Sequence, residues 1–305
     1  MSSIARIGMC LTLAWLAATP AAAQEKKYAV EFRRTSVVGD AIRRTRRSES
    51  REQQKVKREG KVVQDQTTRR GFECVQTDEV TAVEGEEFAG GRRVYERWLD
   101  LEKKTEADVK GLVIEHARAA DRTFSWSRTA GPEVPEFLKK DLDAEVKRLT
   151  KFGQDRAAGK DVSDPLLPTQ PMAVGERWVV PLERACESLG FPFSAVDPAQ
   201  SRVSGVLEQV EVDGEWRRVK IGGVLVLTTL FGRKCEPPGK VTIEISIRAR
   251  PGDIEATYAT RGTLRGSYVD GPTGNLIQID TSWEQTDQRV VIEPPSKQAP
   301  ARQGE

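Results

Sequence analysis

Histidine is almost missing from this 305-residue chain, with His116 its single copy. Any Ser-His-Asp or Cys-His arrangement would have to use that residue, and a metal site built from several imidazoles is excluded. His116 lies in Leu112-Val113-Ile114-Glu115-His116-Ala117, where alternation puts it on a strand, so no catalytic role is expected of it. A Gly-x-Ser-x-Gly elbow, a phosphate-binding glycine loop and a dinucleotide-binding fingerprint are also missing. Cysteine is scarce, and none of the four copies has Cys-x-x-Cys spacing, which argues against redox catalysis and thiolate zinc sites. Beyond the first twenty residues the longest apolar stretch, Ile221 to Leu230, is interrupted by Gly222, Gly223, Thr228 and Thr229. It is too short to cross a bilayer as a helix. The net charge is only +2, and no aromatic residue stands between Phe32 and Phe72, so nucleic acid is not an expected partner. No cofactor and no metal is expected.

What is present begins with an address. Arg6, an apolar run from Ile7 to Ala18, and Thr19-Pro20-Ala21-Ala22-Ala23 have the three-part layout of a cleavable secretory signal peptide. Cleavage after Ala23 would start the mature chain at Gln24 and leave it free in the periplasm or outside the cell. Cys10 lies inside the apolar run, the wrong place for a lipid-modified cysteine. The mature chain would keep Cys74, Cys186 and Cys235 in an oxidising compartment. Cys186 and Cys235 are the candidate disulfide, with three buried free thiols as the alternative.

The remaining text predicts a mainly β protein. Residues 24–130 read as an N-terminal β lobe: Tyr28, Val30 and Phe32 alternate with polar neighbours, and Ala41 to Arg58 returns as Lys61 to Val83 through a Glu59-Gly60 turn. Residues 131–153 read as a connecting amphipathic helix. Val134, Phe137, Leu138, Leu142, Val146, Leu149 and Phe152 form its stripe, Pro135 suits its first turn and Gly153 its stop. This is the one strong helix signal. A linker, 154–171, leads to a C-terminal β lobe, 172–294, with an Asp213-Gly214 hairpin turn and Val241, Ile243, Ile245 and Ile247 alternating with Thr242, Glu244, Ser246 and Arg248. Residues 295–305 read as a disordered tail. The expected architecture is two antiparallel meander lobes, half-barrel-like, joined by the helix.

Leu167-Pro168 with Val174-Gly175-Glu176-Arg177-Trp178, and Gly266-Ser267-Tyr268-Val269-Asp270 with Thr273-Gly274-Asn275-Leu276, resemble exported bacterial β-rich proteins of unknown function. The general plan is similar to the half-barrels of lipoprotein-carrier and lipocalin-like proteins. The resemblance implies a fold and a sheltered ligand, and brings no catalytic residues.

Three groups of side chains are candidates for binding. Trp98, Trp126, Trp178, Trp216 and Trp283 would line a concave apolar surface in a carrier, or serve as core anchors. Arg43, Arg44, Arg46 and Arg47 open a basic segment running to Lys61, and on a strand they point to both faces, so the segment is expected to project from the core as an exposed hairpin. It would contact an anionic envelope surface, unless the acids from Glu73 to Glu87 neutralise it from the next strand. Carboxylates are numerous, but Glu84, Glu86 and Glu87 lie in a polar turn, where nothing raises a pKa for hydrolysis. The expected function is non-enzymatic binding or carriage of an apolar or amphiphilic ligand. The alternatives are a structural envelope protein acting through the 43–61 hairpin and, remotely, a carboxylate-based hydrolase.

Overall fold

The structure is a computed structural model that describes residues 26–30, 36–85, 87–159, 166–211, 215–250 and 255–292. The leader, the Asp213-Gly214 turn and the tail lie outside these residues. The fold is mainly β. Twelve antiparallel strands share a single sheet: β1 (Ala41–Arg58), β2 (Lys61–Glu84), β3 (Glu87–Asp100), β4 (Thr105–Glu106), β5 (Val113–Arg118), β6 (Phe124–Ala130), β7 (Arg177–Val179), β8 (Arg202–Val210), β9 (Arg217–Leu230), β10 (Arg233–Ala249), β11 (Ala256–Val269) and β12 (Leu276–Val291). Two α-helices, α1 (Glu136–Ala157) and α2 (Leu182–Leu189), accompany them.

The spatial order is β6-β5-β3-β2-β1-β12-β11-β10-β9-β8-β7, with β4 paired to β3. The chain therefore starts in the middle of the sheet, walks to one edge, crosses to the other edge and walks back. Its first and last strands meet over sixteen opposed pairs, from Ile42 with Val291 to Lys57 with Leu276. The expected two lobes are not separate sheets: that pairing joins all twelve strands in one.

Opposed residues on an antiparallel ladder share a face, so the registers sort every side chain. One face is apolar toward both edges. On β10, Val241, Ile243, Ile245 and Ile247 are buried, and they pack with Leu225, Ile221 and Val203 beneath Met172, Val180, Ala185 and Cys186. On the other half, Cys74, Tyr95, Trp98 and Ile114 pack beneath Leu138 and Leu142 of α1. Between these cores, on the same face, β1 and β12 present Arg44 and Arg289 directly opposite each other. Asp287 holds both, accepting from Arg44 Nε and Nη2 at 2.7 Å and from Arg289 Nη2 at 3.0 Å. This polar seam explains why β1 lacks the alternation of β10.

The helix runs four residues past the expected stop at Gly153, and Pro135 takes the N-cap place just outside it. Its buried stripe is narrower than the sequence indicates: Leu138 and Leu142 are covered, while Phe137 and Phe152 are exposed. Phe137 still touches the core edge, with its ring centroid 5.0 Å from that of Trp98. Helix α2 is an addition to the expected architecture. Its eight residues begin after Pro181 and stop at Gly190 in the left-handed region (φ 75°), too short for a periodic signal to stand out. No helix among the described residues is long and apolar enough to cross a membrane.

Candidate functional site

The face opposite the cores is wet, and in the body of the sheet many of its cations are neutralised. Arg43 donates to Glu96 at 2.7 Å, and Arg47 to Glu49 at 2.5 Å with Glu73 at 3.7 Å. Arg97 reaches Glu73 and Glu106, and Arg261 and Lys220 both reach Glu244. Apart from Arg47–Glu49, which lies along one strand, these are cross-strand and diagonal neighbours of opposite sign, as a long antiparallel sheet favours.

This pattern corrects the expected anion-contact cluster. Arg43 and Arg47 are tied to acids on the wet face. Arg44 and Arg46 turn to the core face, where Asp287 holds the first and Gln76 accepts from the second at 3.4 Å. The stretch 43–47 does not project, because strands lie on both sides of it. Its inward arginines are accommodated by buried polar partners, and the Arg44 side chain is only 18% exposed.

What projects is the next part of the same hairpin. Strand β3 joins β2 only from Phe72 onward, so Lys61 to Arg70 has β1 on one side and no strand on the other. Glu59 and Gly60, both in the left-handed region, close this arm as a two-residue turn. The arm carries Arg51, Lys55, Lys57, Arg58, Lys61, Arg69 and Arg70 against Glu52, Glu59 and Asp65. Lys55 lies 3.7 Å from Asp65. The other six cations have no ion-pair partner among the described residues. At the root of the arm, the wet face holds a depression of about 910 Å³ lined by Arg51, Arg69, Lys104, Arg261, Leu101 and Glu284, among others. A second, of about 380 Å³, lies beside it between Lys55, Lys240, Arg265 and Pro238.

Of the five candidate tryptophans only Trp283 lines the larger depression, and none lines the smaller, so they do not form a shared ligand surface there. Trp98 is buried and stacks on Phe72 at 4.6 Å. The Trp178 and Trp283 indoles each lie across a glycine of the neighbouring strand, Gly205 and Gly262, on the core face. A Cβ at either glycine would meet the ring within 2.3 Å. Trp126 donates to Asp143 of α1 at 2.8 Å, and Trp216 stands under the guanidinium of Arg248 at 4.0 Å. Cys186 and Cys235 are not bridged. Each is a buried free thiol, as is Cys74, with burial pushing all three upward in pKa.

A second cluster, missed by sequence reasoning, lies under α1. Arg93 of β3 donates to Asp78 at 2.5 Å and to both oxygens of Glu145 at 2.6 and 3.0 Å. Burial alone raises the Glu145 carboxyl, but the charge and hydrogen bonds of Arg93 outweigh it and hold the group at about 2. Asp78 is lowered for the same reason against the same penalty. His116, 6% exposed, sits beside this group, and its Nε2 has no hydrogen-bond partner among the described residues. Burial, then the Arg93 charge, lowers its pKa. Satisfied ionised carboxylates under a packed helix tie α1 to the sheet. They are poorly placed for proton transfer to a substrate.

No family model and no curated protein matches the chain. A solved structure of lipid–protein interactions in lipovitellin is similar over 89% of this chain and 27% of that one, at 8% identity and a TM-score of 0.35. This chain thus spans about a quarter of that structure's length, and so small a likeness carries no argument.

Proposed function

We propose that this is an exported, non-enzymatic binding protein that engages an anionic amphiphile, as single molecules or as a lipid surface, through the β1–β2 arm and the depression at its root. The carrying observation is concentration: Arg51, Lys57, Arg58, Lys61, Arg69 and Arg70 share one hairpin arm and meet no acid among the described residues, whereas most cations of the sheet body meet one. An unneutralised row of this kind attracts phosphate or carboxylate headgroups, and the attraction falls with salt. The leader-like first 23 residues support export. The apolar face supports the amphiphile over a wholly apolar cargo, because its described residues are taken up by the two packed cores. The absence of catalysis is supported by the burial of His116 beneath α1.

The test is flotation with phosphatidylglycerol and with phosphatidylcholine vesicles. Binding is expected to the anionic vesicles only, to weaken as salt is raised, and to fall by roughly fivefold per cation removed in R51S, K57S and R58S combined. Equal binding to both vesicles, or an unaffected triple variant, overturns the proposal.

A further inference from the structure

We propose that two copies of this protein pair along the outer edge of β2, in an antiparallel two-fold ladder centred on Thr67. The inference goes beyond the anionic-ligand reading: it uses the strand's backbone and two symmetry-related Asp65–Arg69 pairs, and shares only Arg69 with that reading.

The main-chain geometry sets which residues can take part. Gly71 accepts a hydrogen bond on its carbonyl from Leu101 N at 3.0 Å, so the backbone groups of Gly71 face away from β1. In an antiparallel ladder a residue sends its N–H and C=O to the same side, and every second residue shares that side. Arg69, Thr67 and Asp65 therefore aim their N–H and C=O outward, where no described strand receives them. Six of the seven residues from Gln64 to Arg70 are exposed and Thr68 is half-buried. An edge with unpaired groups is a template for strand addition.

Charge selects the occupant and the register. Reading Asp65-Gln66-Thr67-Thr68-Arg69 against its own reverse sets aspartate opposite arginine at both ends, glutamine opposite threonine inside, and threonine opposite threonine at the centre. Of the five two-fold registers centred on residues 65 to 69, only this one brings opposite charges together. Centring on Asp65 or Arg69 opposes each to its own kind, and centring on Gln66 or Thr68 sets them against Val63, Thr67 or Gly71. Directly opposed like charges oppose pairing, and opposite charges favour it. Asp65 accepts from Gln53 Nε2 at 2.9 Å and lies 3.7 Å from Lys55, which leaves its carboxylate further acceptor capacity for a second copy's Arg69. Arg51, opposite Arg69 on β1, stays on the wet face beside the pair. The same register carries Val62 and Val63, exposed at 52% and 59%, toward the end of the ladder where the other copy's Leu101 turn stands.

The experiment is light scattering on the full chain after size-exclusion chromatography, across a concentration series, with far-ultraviolet circular dichroism of each variant. Twice the monomer mass is expected for the wild type. D65R and R69D, each of which opposes like charges, are expected at the monomer mass. The exchange D65R/R69D restores complementarity at unchanged net charge and is expected to restore the doubled mass. A wild type that stays monomeric overturns the inference, as does a folded single variant that stays dimeric. A monomer that instead captures an acidic extended peptide at this edge also overturns it. The R51S, K57S and R58S triple variant leaves Asp65 and Arg69 in place, so its vesicle flotation reads the anionic-ligand proposal while its mass reads the pairing.

Discussion

Buried beside Arg93 with one ring nitrogen unmatched, His116 is held neutral in the native protein but titrates normally, near 6.5, in the unfolded chain. The unfolded state therefore takes up more protons between pH 6.5 and the lowered native value, and stability drains away as pH falls through that window. Asp78 and Glu145 have lowered pKa values too, but their stabilisation is lost only below about 4.5, the ordinary carboxyl range. Urea midpoints at pH 7.5 and 5.5 separate the two. The wild type is expected to lose stability across that interval and H116F to lose much less; parallel losses would show that another group is responsible. The sequence exposes the type of each such residue and its place on a strand, but not its neighbours across strands. Trp283 and Gly262 lie 21 positions apart, and nothing in their local text says that one covers the other. Neutralisation of Arg47 by Glu73 on the next strand is legible in the sequence, but the partner that makes the burial of Arg44 tolerable, Asp287, is 243 positions away.

At the scale of elements, α1 is held by a short apolar stripe and one buried ion pair. Leu138 and Leu142 are covered, Glu145 continues their row one turn on and binds Arg93, and Phe137 lies at the margin. L138A is expected to cost about 3 kcal/mol in chemical denaturation, and F137A about 1 kcal/mol. Equal costs would mean that the helix is rotated from this seating. The existence of the helix was legible because its period differs from the surrounding alternation. Its orientation was blurred, because Phe137 and Phe152 flank a stripe whose continuation is a charged residue. The β1–β2 hairpin was legible to within a residue, since Glu59-Gly60 supplies the left-handed turn it needs. Where the arm becomes unsupported was hidden, because that depends on where β3 turns away.

For the whole molecule, the decisive contact is the meeting of β1 with β12. It joins two cores across a seam where Arg44 and Arg289 face each other and share Asp287. Removing that carboxylate leaves two half-buried like charges opposed at the join, for which about 3 kcal/mol is the expected loss in D287A. Tryptophans sit in both halves, so fluorescence and circular dichroism report on each. The two signals are expected to move together to a lower urea midpoint in D287A, and separated transitions would mean that the halves unfold independently. The mainly β class followed from alternation, and the suspicion of two halves from the helix between them. Their union in one sheet did not follow, because β1 and β12 are both polar on the face that the cores leave to the seam.

That join also fixes the order of events when the chain is made. The eighteen residues of β1 emerge before β12 and wait for a partner that is synthesised more than two hundred residues later. Such a long sequence separation makes for slow closure and leaves a paired-on-one-side strand open to the wrong neighbours in the interval. The many charges along β1 thus guard the newborn polypeptide as well as the finished one, keeping that strand soluble until its late mate arrives.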